Sequence, residues 1–64
     1  MQSDTYHRLQ EIFSRFNESV ITFYADLMEL LPPGEKSVVL AGLRNTLDIS
    51  NLLFKQVAEL IYRS

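Results

Sequence analysis

A proline break near the middle of the chain constrains its fold more than any other feature. Pro32, Pro33 and Gly34 lie at the centre of a sequence of 64 residues. A proline disfavours helical geometry at the residue before it, whereas a proline in the first turn of a helix loses no hydrogen bond. The sequence therefore predicts one helix that ends before Pro32 and a second that begins just after the break.

Apolar residues with heptad spacing follow the chain on both sides of this break. Such spacing places side chains along one face of a helix and is typical of helices that pack lengthwise. We therefore predict an all-α chain with helix 1 over about 4–31, a turn over 32–34 and helix 2 over about 35–63, in one domain spanning 1–64. The two stripes comprise Tyr6, Leu9, Phe13, Phe16, Val20, Phe23, Leu27 and Leu30, and then Leu40, Leu43, Leu47, Ser50, Phe54, Val57 and Ile61.

The two stripes are mirror images about the break. When the chain folds back at Pro33 and Gly34, Val20 comes level with Leu47, and Phe13 comes level with Phe54. This symmetry predicts an antiparallel αα-hairpin whose stripes face each other. The predicted core comprises Phe13, Phe16, Val20, Phe23, Leu27, Leu40, Leu43, Leu47, Phe54 and Val57.

Apolar residues outside the stripes predict self-association. Hydrophobic residues make up 47% of the chain, which contains no cysteine, and small domains without disulfides commonly oligomerise. The sequence predicts a homodimer that forms a four-helix bundle, or alternatively a groove for a partner helix. The predicted interaction residues are a second stripe on helix 1, Ile21, Tyr24, Met28 and Leu31, and two outward residues on helix 2, Ile49 and Leu52.

The residues needed for catalysis or metal binding are few. His7 is the only histidine, and the two glycines are isolated, so neither a metal cluster nor a phosphate-binding loop is indicated. We therefore predict a protein that is not an enzyme and binds no metal or cofactor. No apolar run is long enough to cross a membrane, and no secretory leader is visible, so the sequence predicts a cytoplasmic protein without membrane contacts.

The charge of the chain is unfavourable for nucleic-acid binding. The net charge is −2 and the pI is about 5.1, whereas proteins that bind phosphates are usually basic. Arg8 and Arg15 follow aromatic residues closely, as in some RNA-binding surfaces, but those aromatics belong to the predicted inner stripe. The possible nucleic-acid contacts that the sequence offers are Arg8, Arg15, Arg44 and Lys55.

Two heptad helices around a central turn give this chain a layout that resembles the Rop family of short plasmid-copy-number regulators. The resemblance spans nearly the whole chain as length, apolar spacing and turn position. It implies a dimeric four-helix bundle that binds RNA. Our leading hypothesis is a non-enzymatic adaptor or regulator that acts through protein–protein contacts. The alternatives are a Rop-like RNA-binding hairpin dimer and a subunit that is stable only within a larger hetero-assembly.

Overall fold

The computed structural model describes residues 2–63 as two α-helices that pack against each other along their length. Helix α1 spans Gln2–Glu29 and helix α2 spans Lys36–Arg63, with a short 3-10 turn at Pro33–Glu35 between them. No strand occurs in the described part of the chain. The prediction of an all-α helical hairpin is therefore confirmed, although α1 begins and ends two residues earlier than expected.

The chain leaves α1 through a tightened last turn and an extended proline. The Leu30 and Leu31 amides donate to the carbonyls of Leu27 and Met28 at 3.1 and 3.3 Å, in the three-residue spacing of a 3-10 helix. Pro32 then adopts an extended conformation, with φ −61° and ψ 153°. Since no described residue has a positive φ, the chain reverses through Pro32 and the following 3-10 turn.

Contacts between the helices confirm that they run antiparallel. Residues early in α1 meet residues late in α2: the Phe13 and Phe54 rings lie edge to face with centroids 5.3 Å apart, and the Tyr6 and Phe54 rings lie 5.9 Å apart. Further along α1, Tyr24 reaches Thr46. We use the word seam for the line along which side chains of α1 and α2 face each other.

The seam differs from the predicted core at three positions. Phe16, Phe23 and Leu40 are each about half exposed, so the prediction that they are buried is wrong for the single chain. Positions one residue away take their places: Asn17, Tyr24 and Val39 are all half-buried. The other seven predicted core residues lie in the seam as expected, with Val20 buried and Phe13, Leu27, Leu43, Leu47, Phe54 and Val57 half-buried.

The molecule is a layer one helix thick. Its Cα atoms span 49 × 16 × 8 Å. Leu9 and Val20 are the only buried apolar side chains in the described part of the chain, and none of the large side chains described there is fully buried. A pair of helices has an inside only along its seam, so both broad surfaces of the layer are open.

Candidate interaction surface

Side chains that flank the seam form two broad faces, one on each side of the helix pair. Ser3 and Ile21 are separated by about five full helical turns and therefore lie on the same side of α1. Leu40 and Ala58 have the same separation on α2. Ser3 lines a groove with Tyr62 at the open end of the hairpin, and Ala58 lines a second groove with Tyr62. These five residues consequently share one face of the layer, which we call the mixed face.

The opposite face of the layer is more apolar. Phe16 and Ile21 lie on opposite sides of buried Val20 when α1 is viewed along its axis, because each residue advances the helix by about 100°. By the same geometry Leu53 and Leu40 lie on opposite sides of Ser50 in α2. We call this second surface the apolar face and define it by five exposed residues, Ile12, Phe16, Phe23, Ile49 and Leu53.

On α1 carboxylates border the apolar face, because Phe23 and Ser19 line a groove together with Glu18 and Asp26. Other positions on the same side of the helices include Thr5 and Ser19 on α1, Gly42 and Gln56 on α2, and the exposed residues Leu30, Val38 and Leu60. None of these side chains ionises. On the mixed face, by contrast, Ile21 and Leu40 alternate with polar positions, which are Ser3, Gln10, Ser14, Arg44 and Asn51. The two faces therefore differ in chemistry, and the apolar face carries more exposed large apolar side chains than the mixed face does.

A buried hydrogen bond sets the register near the middle of the seam. The Ser50 hydroxyl donates to the Asn17 side-chain oxygen over 2.9 Å, and Ser50 is only 4% exposed. A buried hydroxyl without a partner loses the hydrogen bonds that water gave it, so Ser50 favours the arrangement in which Asn17 faces it. Because Asn17 occupies the seam, its neighbour Phe16 lies on the flank.

A second polar contact sets the register in the half of the seam nearer the turn. The Thr46 hydroxyl donates to the Gly42 carbonyl over 2.8 Å, so its only hydrogen is already used. The Tyr24 hydroxyl, 3.1 Å from the Thr46 oxygen, is therefore the donor in that pair. Gly42 allows the close approach: a Cβ at this position would lie 3.2 Å from the Tyr24 ring. Tyr24 thus occupies the seam, and Phe23 lies outside it.

The six residues predicted to mediate interactions do not form one surface. Tyr24, Met28 and Leu31 are half-buried, and Tyr24 hydrogen-bonds within the chain. Ile21 is exposed on the mixed face. The two helix 2 residues are both exposed. Ile49 belongs to the apolar face, whereas Leu52 is two residues, or about 200°, from buried Ser50 and points away from α1.

The sequence predicts Phe16 and Phe23 as core residues, but both lie on the surface. Both fit the heptad spacing that continues from Phe13, and nothing within helix 1 distinguishes them from core residues. A signal was present in helix 2, where Ser50 interrupts the apolar stripe. A hydroxyl at a core position needs a polar partner, and Asn17 was the nearest candidate at the same level of the hairpin.

The four basic residues considered for nucleic-acid contacts are not gathered on one surface. Arg8 and Arg15 lie on the outer side of α1, and Arg44 and Lys55 lie on α2. Arg15 lines a shallow groove together with Glu11 and Glu18, so acidic side chains accompany it. A phosphate backbone approaching this groove would meet carboxylates as well as a guanidinium.

Within residues 2–63 there is no group of side chains suited to hold a metal ion. The helices described there are also not apolar enough over a sufficient length to cross a membrane. Comparison of the chain with protein-family models, with curated proteins and with solved structures finds no match.

Proposed function

We propose that this chain is a non-enzymatic protein-interaction module, an adaptor or regulator whose working surface is the apolar face. The observation that carries the proposal is the exposure of Phe16, Phe23 and their three apolar neighbours on one face, with carboxylates only bordering it beside Phe23. Contiguous exposed apolar surface in a water-soluble domain usually marks a contact site.

The composition of the apolar face is that of the centre of a protein–protein interface. Interface centres are depleted of charged residues and enriched in aromatic side chains. Two of the five residues that define the face are phenylalanines, and Thr5, Ser19, Gln56 and Gly42 beside them carry no charge. Glu11 and Arg15 lie on the outer side of α1 instead, and Glu18 and Asp26 lie at the rim of the face beside Phe23.

Site-specific photo-crosslinking tests the proposal. Phe16 is replaced by the photoreactive aromatic residue benzoylphenylalanine, and the same replacement at Ile21 serves as the control. The two side chains are equally exposed, at 49% and 50%, but lie on opposite faces of α1. After irradiation in the source cell, we expect covalent protein adducts from position 16 and few from position 21.

The identity of the adducts decides between the candidate functions. Adducts to protein, whether to this chain or to another, support an interaction module that uses the apolar face. Equal yields from both positions, or adducts to RNA at position 16, would contradict it. No feature of the described residues favours RNA as the partner, because the basic side chains are dispersed and acidic ones lie beside Arg15.

A further inference from the structure

We infer that a second copy of this chain covers the apolar face, so that two helix layers stack into a four-helix bundle. The inference rests on the proposed function and names the partner of the same surface. Phe16, Phe23 and Leu53 of each protomer would lie at the centre of the interface. Three properties of the layer point to a second copy, namely its surface area, its missing interior and its dimensions.

The surface area of the single chain is too large for a compact monomer. The accessible surface is 5250 Å². A folded monomer of 7.4 kDa is expected to expose about 4,200 Å². The excess of about 1,000 Å² is close to the area of about 800 Å² that each partner loses in a standard interface. One contact of ordinary size would thus bring the surface per chain to the value expected for its mass.

The seam lacks a covering layer on both broad faces, and the apolar face is one of them. Side chains of the seam such as Phe13 and Leu43 are only half-buried, because the layer has no second layer above it. Domains are stable when at least two layers of secondary structure enclose their apolar side chains between them. A layer placed on the apolar face would cover the five residues of that face and the adjacent edge of the seam.

The dimensions and charge of the face fit a second copy. The Cα atoms of the layer extend over 49 × 16 Å. A single helix is about 10 Å wide and would cover only part of a face that is two helices broad. A second hairpin has the same length and width. The five residues that define the face are uncharged, so two copies can bring them together through an isologous two-fold contact with Glu18 and Asp26 at its rim.

Sedimentation equilibrium with two matched pairs of variants tests the inference. Phe16→Glu and Leu53→Glu place a charge on the apolar face. Their controls are Ile21→Glu on α1 and Leu40→Glu on α2, at positions of nearly equal exposure on the mixed face. We expect the parent chain at micromolar concentration to sediment at twice its mass of 7.4 kDa. Phe16→Glu and Leu53→Glu should weaken dimerisation at least 100-fold, and the controls less than tenfold.

A measurement on the unchanged chain complements the variants, since folding and dimerisation can be coupled. In a mixture of isotope-labelled and unlabelled chains, nuclear Overhauser effects between protomers should connect the Phe16 and Phe23 rings with methyl groups of the apolar face. A folded monomer at 100 μM would overturn the inference. So would nuclear Overhauser effects between protomers that occur only at Ile21 and Leu40. If the photo-crosslinks at position 16 then led to a different protein, the proposed function would stand without the homodimer.

Discussion

Polar residues in the seam decide which apolar residues remain on the surface. Asn17 and Ser50 hydrogen-bond to each other, and Tyr24 donates to Thr46. In the described part of the chain no buried side-chain nitrogen or oxygen lacks a hydrogen-bond partner. Polar pairs at core positions are known to specify the register of packed helices, at some loss of stability. Here they hold the helices in the orientation that turns Phe16 outward.

Replacing Ser50 by alanine should measure how much the hydrogen bond between Ser50 and Asn17 contributes to stability. Ser50→Ala removes the donor to Asn17 in a buried setting, so we expect it to lower the free energy of unfolding by about 1 kcal/mol. Ser14→Ala is the matched control, because Ser14 is an exposed serine near the middle of α1 and lies on the mixed face. It should be neutral or stabilising by a few tenths of a kcal/mol. Urea denaturation at one fixed protein concentration gives both values, and equal changes would contradict the assigned role of the pair.

The Gly42–Tyr24 contact should appear as an energetic coupling. Glycine to alanine inside a helix normally stabilises by about 1 kcal/mol. A Cβ at position 42, however, would lie 3.2 Å from the Tyr24 ring, which a hydrogen bond holds in place. We expect Gly42→Ala to give the full gain only in a Tyr24→Ala background, with a coupling of about 1 kcal/mol in a double-mutant cycle. Additive effects would show that the ring moves aside freely.

At the scale of whole elements, the sequence predicted the two helices and the break because their signals are local. Prolines restrict the residues beside them, and heptad spacing needs no knowledge of the partner helix. The orientation of each helix about its own axis is different. On α1 two alternative stripes satisfy helical spacing. One includes Phe16 and Phe23, and the other includes Tyr24 and Met28. The choice between these stripes depends on Ser50 and Thr46, which lie on the other helix.

The role of the glycine in the turn also differs from its usual one. Gly34 does not have a positive φ, and no atom lies within 4 Å of the position where a Cβ would be. Gly34→Ala should therefore stabilise the hairpin by about 0.4–1 kcal/mol, because alanine reduces the freedom of the unfolded chain. Chemical denaturation measures the gain, and a loss of stability would show that the turn requires glycine after all.

For the molecule as a whole, the two faces of the layer differ in composition: one is suited to burial and the other to contact with solvent. The apolar face carries phenylalanines with carboxylates at its rim, whereas the mixed face carries serine, glutamine, asparagine and arginine beside its apolar residues. A chain of this size has little apolar area to bury on its own. With the dimer inferred above, folding and dimerisation should form one transition, because the second chain would supply the layer that covers the seam.

Coupled folding and dimerisation should make the melting temperature depend on protein concentration. Each tenfold rise in protein concentration stabilises the folded dimer, relative to two unfolded chains, by about 1.4 kcal/mol. The entropy of unfolding is about 2.1 cal/mol/K per residue, summed here over two chains of 64 residues. The melting temperature should therefore rise by about 5 °C for each tenfold increase in protein concentration. Circular dichroism melts over two decades of concentration measure this slope. Ile21→Glu should retain it, whereas Phe16→Glu should show either no cooperative transition or a midpoint independent of concentration. A parent chain that melts cooperatively at one temperature throughout would establish that the hairpin is stable as a single layer.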